Sequence, residues 1–325
     1  MNPINGLLAA LAAINAGFVA VWGRAMIAGR RLAKTTGERT PATDVRLPSV
    51  EHVVIGFITN FLDTLGIGSY AQTTAWYKLR KIVNDRIIPG TMTIGHNLST
   101  TVETFLFVAA VPVDVTTLFS MIGASICGAW LGAGVVAKWP KRNIQIGMGI
   151  ALLIAATVMF LGSDDKNPGP FMQLTGMKIL PGGGEALGVS GIKLVVAVGV
   201  NFMLGALMTL GIGLYAPCMI TVYLLGMNAR AAFPIMMGSC AFLMPVAALP
   251  FIKEKSYSNR PALGLTLGGI PGVLIAFYIV KSLPLRYIFW LVDVVVVYTA
   301  ISMLRSAARE RALNGAAGEV LEVEA

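Results

Sequence analysis

Residues 64–71 read Thr64-Leu65-Gly66-Ile67-Gly68-Ser69-Tyr70-Ala71, and residues 209–216 read Thr-Leu-Gly-Ile-Gly-Leu-Tyr-Ala. The two octets agree at seven of eight positions, at an offset of 145 (residue 209 against residue 64). At that offset Phe57 falls on Phe202 and Pro89 on Pro234; one residue short of it, Gly128 meets Gly272, Pro140 meets Pro284 and Arg142 meets Arg286. A spacing kept across so many landmarks marks a duplicated unit, 46–162 and 191–305. Each copy carries a glycine break inside an apolar segment.

The solvent of this chain is set by its composition. Of 325 residues 56% are hydrophobic and 13% charged, with a mean hydropathy of +0.74, against roughly 25% charged residues in soluble domains. Apolar stretches near 20 residues recur without the alternation of a membrane barrel, so an all-α polytopic membrane protein is expected. The net charge of +9 lies between the apolar stretches, where cytoplasmic loops hold it, and does not point to nucleic acid. Cys127, Cys218 and Cys240 sit in apolar segments without paired spacing. They read as packing residues, with no disulfide, metal or cofactor.

The basic residues set an expected topology. An Ala-rich segment from Ile4 to about Ala28 reads as a retained first helix, followed by Arg24, Arg30, Arg31, Lys34, Arg39 and Arg46. The arm Val50–Leu65, the Gly66–Gly68 break and the arm Tyr70–Leu79 lead to Lys78, Arg80, Lys81 and Arg86, a second basic cluster. If the two arms crossed as one span, the two clusters would lie on opposite faces. A re-entrant hairpin keeps both inside, in keeping with the charge rule; a broken spanning helix is the alternative.

Spans are then expected at 87–111, 115–137 and 143–162. The second copy repeats the pattern with a hairpin at 191–227 and spans at 231–251, 262–280 and 285–304. Nineteen of the 25 Lys and Arg fall inside on this reading. Three crossings and one hairpin per unit invert the copies, giving about seven full spans plus two hairpins, or eight to nine spans if the hairpins cross. The chain divides into 1–45 (first helix and basic loop), 46–162 (repeat 1), 163–190 (extracytoplasmic loop), 191–305 (repeat 2) and 306–325 (cytoplasmic tail). The expected location is the inner or plasma membrane, with lipid as the surrounding partner and a homodimer left open.

Backbone groups cannot stay unpaired in hydrocarbon, so glycine breaks at membrane depth are tolerated where protein or a watery cavity meets them. The helices restarting at Ser69 and Leu214 present free N–H groups and positive dipole ends. Thr64, Gly66, Gly68, Ser69, Tyr70, Thr209, Gly211, Gly213 and Tyr215 are therefore expected to bind a small anion. Intramembrane ionisable residues need a reason. Asp63, aligned with Met208, is a candidate proton or sodium site. The helix after the first hairpin carries His96, Asn97 and Glu103, with His96, Ser99 or Thr100, and Glu103 on one face. His96 and Asn97 are expected as anion donors and Glu103 as a proton shuttle. No nucleophile–base spacing or metal motif accompanies them, so no enzyme is expected. Trp22, Trp76, Trp139 and Trp290 read as interfacial anchors.

The two-unit layout, the paired G-x-G tips after aromatic-bearing arms, and the run Gly226-Met227-Asn228-Ala229-Arg230-Ala231-Ala232 resemble the sulfite exporter TauE/SafE family. The resemblance covers nearly the whole chain after the first helix; Ser69 and Leu214 stand where members commonly have a further glycine. It implies transport of small anions such as sulfite, sulfonates and other organosulfur compounds. The expected function is thus secondary active transport of a small anion, a related carboxylate included, coupled to H+ or Na+. A passive anion channel on the same scaffold is the alternative.

Overall fold

A computed structural model describes residues 3–37, 40–136, 140–163, 168–182, 184–208 and 213–323. The described chain is all-helical except for one pair of two-residue strands, Gly162–Ser163 with Leu180–Pro181. Its helices are α1 (Pro3–Thr36), α2 (Val50–Thr64), α3 (Tyr70–Arg80), α4 (Ile88–Ala110), α5 (Val115–Val136), α6 (Lys141–Leu161), α7 (Pro170–Thr175), α8 (Gly191–Met208), α9 (Tyr215–Leu224), α10 (Ala232–Lys253), α11 (Asn259–Ser282) and α12 (Leu285–Val323). Six segments are long and apolar enough to cross a membrane: Pro3–Thr36, Arg142–Leu161, Gly191–Met208, Ala229–Lys253, Asn259–Ser282 and Leu285–Ala308. At 23 residues α4 is long enough, but Thr, His, Asn and Glu lower its hydropathy.

The element order of the first half recurs in the second. The series α2, α3, 3-10 turn, α4, α5, α6 is matched by α8, α9, 3-10 turn, α10, α11, α12. Even the turns agree. Asn84 accepts the Arg86 N–H at 3.0 Å, and Asn228 accepts the Arg230 N–H at 3.0 Å, each an asparagine closing a local turn on its own backbone.

The first glycine break folds α2 and α3 back on each other. Ser49 caps α2, and at its far end Gly66 and Gly68 take φ of 94° and 86°, a region open to glycine at little cost. Glu51, at the start of α2, meets Arg80, at the end of α3, at 2.9 Å. Laid end to end, those helices would separate the two residues by roughly 40 Å at 1.5 Å per residue. In the second copy Lys193 near the start of α8 donates to the Leu225 carbonyl just past α9, at 3.0 Å. Both α2–α3 and α8–α9 are hairpins.

The hairpins enter from opposite ends of the molecule. At one end the base of α2–α3 lies with Arg260, which bonds the Leu47 carbonyl at 2.8 Å. There too the Ser258 N–H reaches Thr91 near the start of α4, at 2.9 Å. At the other end the Asn228 N–H bonds the Ala186 carbonyl at 2.8 Å, and the Asp114 N–H, just past α4, bonds the Leu187 carbonyl at 2.8 Å. Arg230, before α10, bonds the Leu283 carbonyl at that same end. Thus α4 runs from the first end to the second and α10 runs back.

Glycines weld each long hairpin arm to the opposite half. A Cβ on Gly272 would land on the Phe57 carbonyl and one on Gly268 on the Val53 carbonyl, so α11 touches α2 backbone to backbone. On the other side Gly128 of α5, the counterpart of Gly272, meets the Phe202 carbonyl, and Gly205 of α8 meets the Ser125 carbonyl, so α5 touches α8 in the same way. Small residues at such crossings let helices approach closely in the absence of a hydrophobic drive.

Two expectations need adjusting. α1 continues to Thr36 rather than stopping near Ala28; its 34 residues make about 51 Å, longer than a bilayer core. Trp22 is no interfacial anchor: it is buried, and its Nε1 donates to Asn259 Oδ1 at 3.0 Å. Trp139 lies outside the described residues.

Candidate functional site at the hairpin tips

The tip of the first hairpin and the start of α9 lie around the C-terminal end of α2 and the middle of α4. Asp63 and Thr64 end α2, Ser69 precedes α3, Glu103 comes from α4, and Tyr215 opens α9. Tyr215 donates to Glu103 Oε2 at 3.4 Å. Ser69 presents its hydroxyl and backbone N–H to the Asp63 carboxyl. Thr64 lies within reach of Glu103, and Asp63 and Glu103 lie within electrostatic range of each other. All five residues are buried.

Both helix starts lack a side-chain cap. Ser69 spends its hydroxyl on Asp63, and Leu214 has none to give. The ladder of α3 begins with the Thr73 N–H on the Ser69 carbonyl, and that of α9 with the Cys218 N–H on the Leu214 carbonyl. The N–H groups of Tyr70, Ala71 and Gln72, and of Tyr215 and Ala216, precede those bonds and face the interior as helix-end donors. A Cβ on Gly68 or Gly213 would meet nothing within 4 Å. Gly66 instead packs against Met219, whose Sδ would lie 2.8 Å from an added Cβ.

Not every expected residue reaches this cluster with a free group. The Tyr70 hydroxyl donates to Thr93 at 3.2 Å. Asn97 faces α1, donating to Asn15 Oδ1 at 2.9 Å, where Thr101 also donates at 2.9 Å. His96 is engaged through both nitrogens: Nδ1 with Asn60 Oδ1 at 3.0 Å, Nε2 with Thr73 Oγ1 at 3.0 Å. Asn60 gives its amide N–H to the Gly56 carbonyl at 2.7 Å, so its oxygen faces the ring and Nδ1 carries the proton. His96 therefore latches both arms of hairpin 1 to α4. Thr209 and Gly211 lie outside the described residues.

Three residues at the site escape a reading of the sequence: Asn60, Thr73 and Cys240. Asn60 stands one helical turn before Thr64 and Thr73 one turn after Tyr70, so i, i+3 and i, i+4 spacing from the tip carried a signal. Cys240 on α10 stands beside Tyr215, and its thiol meets Met208 Sδ at 3.6 Å. Met208 is the counterpart of Asp63, so the second copy supplies a thioether where the first supplies a carboxyl.

Comparison with protein families, curated proteins and solved structures finds no match. The reading of the site rests on its own geometry.

Proposed function

We propose that the chain is a secondary transporter of a small anion, built from two inverted units, 46–162 and 191–305, with seven full spans and two re-entrant hairpins. The observation that carries the reading is the nearness of two uncapped helix starts, those of α3 and α9, to the buried pair Asp63 and Glu103. Helix N-termini at membrane depth suit anionic groups. The likeness to the TauE/SafE family favours sulfite, a sulfonate or a related small carboxylate as cargo.

The end bearing Lys78, Arg80, Lys81, Arg86, Lys253, Lys255 and Arg260 is taken as cytoplasmic, following the charge rule, in an inner or plasma membrane. Alternating access comes from bodies that exchange parts between the repeats. Hairpin 1 moves with α11 and hairpin 2 with α5, because those are the pairs whose backbones touch. The gradient of a coupled ion acts through Asp63 and Glu103, since the cluster holds two carboxyls beside an anion's helix ends.

Proteoliposomes loaded with sulfite, methanesulfonate or isethionate test the reading. Saturable counterflow of one labelled anion against its unlabelled form is expected. Conductive anion current without counterflow would instead make the protein a passive channel. A second test uses Cys240 as the only cysteine, with Cys127 and Cys218 changed to serine. A membrane-permeant maleimide should label it slowly, and more slowly still in saturating transported anion. Labelling indifferent to the anion would remove Cys240 from the site.

A further inference from the structure

No lysine or arginine among the described residues stands by the two acids Asp63 and Glu103. Among the described residues the ion pairs are Arg46–Asp44, Lys78–Asp85 and Arg80–Glu51, all at the basic end and none at Asp63 or Glu103. Asp63 is 5% exposed and Glu103 fully enclosed. Glu103 Oε1 has no hydrogen-bond partner, an orphan acceptor beside a second carboxyl. An intramembrane charge of this kind is expected to be met by a proton or a metal cation.

The surrounding groups decide between the two. Sodium at a broken membrane helix is held by unwound carbonyls and helix C-terminal ends. Here the carbonyls of the last turn of α2, Asn60 to Asp63, already accept. The Thr64 hydroxyl takes the Asn60 carbonyl at 2.9 Å. Leu65 N–H takes that of Phe61 at 3.4 Å, Ile67 N–H that of Leu62 at 3.1 Å, and Gly66 N–H that of Asp63 at 2.7 Å. Facing the carboxyls are the Ser69 hydroxyl and N–H from the tip and the Tyr215 hydroxyl from α9; Thr64 of α2 also lies near Glu103, but its one proton goes to Asn60. The other titratable groups nearby are the Cys240 thiol on α10 and Tyr70 on α3. His96 on α4 is held by Asn60 and Thr73.

We infer that Asp63 and Glu103 form a proton-carrying pair and that the anion crosses with a proton rather than with sodium. The inference rests on the transport reading above. The pair takes up a proton as the anion settles on the neighbouring helix ends and releases it as the anion leaves, so the two cross together. The second copy has Met208 in place of Asp63, so hairpin 1 alone supplies the acid at a tip.

The test uses full-length protein in sodium-free proteoliposomes with a trapped pH-sensitive dye, offered sulfite, methanesulfonate or isethionate. Proton entry is expected with whichever anion shows counterflow. For one proton, each unit of inward-acid gradient should raise accumulation about tenfold. Asp63→Asn should lose the dye response, and any remaining uptake should ignore the pH gradient; Glu103→Gln serves if that variant is unfolded. Counterflow in wild type with no proton entry, or accumulation driven by a sodium gradient at equal pH, overturns the inference and leaves transport standing. Absence of counterflow with all three anions overturns the transport reading, and the proton pair with it.

Discussion

Gly128→Leu is expected to abolish the folded protein, and Gly272→Leu to do the same for the matching reason. A side chain on Gly128 would enter the Phe202 carbonyl, and one on Gly272 the Phe57 carbonyl. The obstacle in each case is backbone, which no rotamer change can move aside. Even one added methylene in a packed interior costs about 1–3 kcal/mol, and leucine must push two whole helices apart. Gly123 and Gly199 are the controls, because a Cβ there meets nothing within 4 Å. Size-exclusion chromatography of detergent extracts should show monodisperse protein for Gly123→Leu and Gly199→Leu, and aggregate or no protein for the other two. Normal profiles for Gly128→Leu and Gly272→Leu would mean that α5 and α8, and α2 and α11, are not in backbone contact.

His96→Ala should lower stability and transport rate together while leaving the substrate KM nearly unchanged. The ring ties Asn60 on α2 and Thr73 on α3 to α4, in a region where all three side chains are buried. Removing it leaves buried polar partners unsatisfied, at about 1–3 kcal/mol each, and frees the hairpin from its neighbour. Thr73 Oγ1 also lies 2.8 Å from the Ser69 carbonyl, sharing its one proton between that oxygen and the ring, so slack in the latch reaches the tip beside Asp63. A fall in melting temperature and maximal rate, with KM within about threefold, is the expected pattern for a positioning residue. A large rise in KM at unchanged melting temperature would restore His96 to the role of a direct anion donor.

How much of this the sequence carries depends on the range of the interaction. The hairpins were legible because a glycine pair in an apolar run has a strong local meaning, and because the run occurs twice. Ser69 and Leu214 were legible as helix starts for the same reason, as were the helix limits at Tyr70 and Tyr215. Partnerships between distant helices were not. Nothing near Asn15 in the Ala-rich first helix says that it will hold Asn97 and Thr101 across a helix interface. That choice turned Asn97 away from the tips, although it adjoins His96 in sequence. Trp22 looked like an anchor because indoles favour membrane interfaces, yet its N–H found Asn259 through a long-range contact. Cys240 looked like a small packing residue; it is buried where α8, α9 and α10 converge, beside Met208 and Tyr215. The length of α1 was underestimated because its basic tail ends the apolar pattern without ending helix propensity.

Asp63 against Met208 shows how the two levels combine. The sequence alone marks the asymmetry between copies. In the structure the difference is a chemical one: a buried carboxyl at the end of α2, and at the end of α8 a thioether that meets the Cys240 thiol of α10 at 3.6 Å.

The fold-back of hairpin 1 at one face, with hairpin 2 entering from the other, is the claim on which the rest depends. Single cysteines at Arg31, Lys81 and Lys193, in a background with Cys127, Cys218 and Cys240 changed to serine, test it with a membrane-impermeant maleimide applied to sealed vesicles of known orientation. Positions 31 and 81 should label from the same, cytoplasmic face and position 193 from the opposite one. Labelling of positions 31 and 81 from different faces would contradict the account.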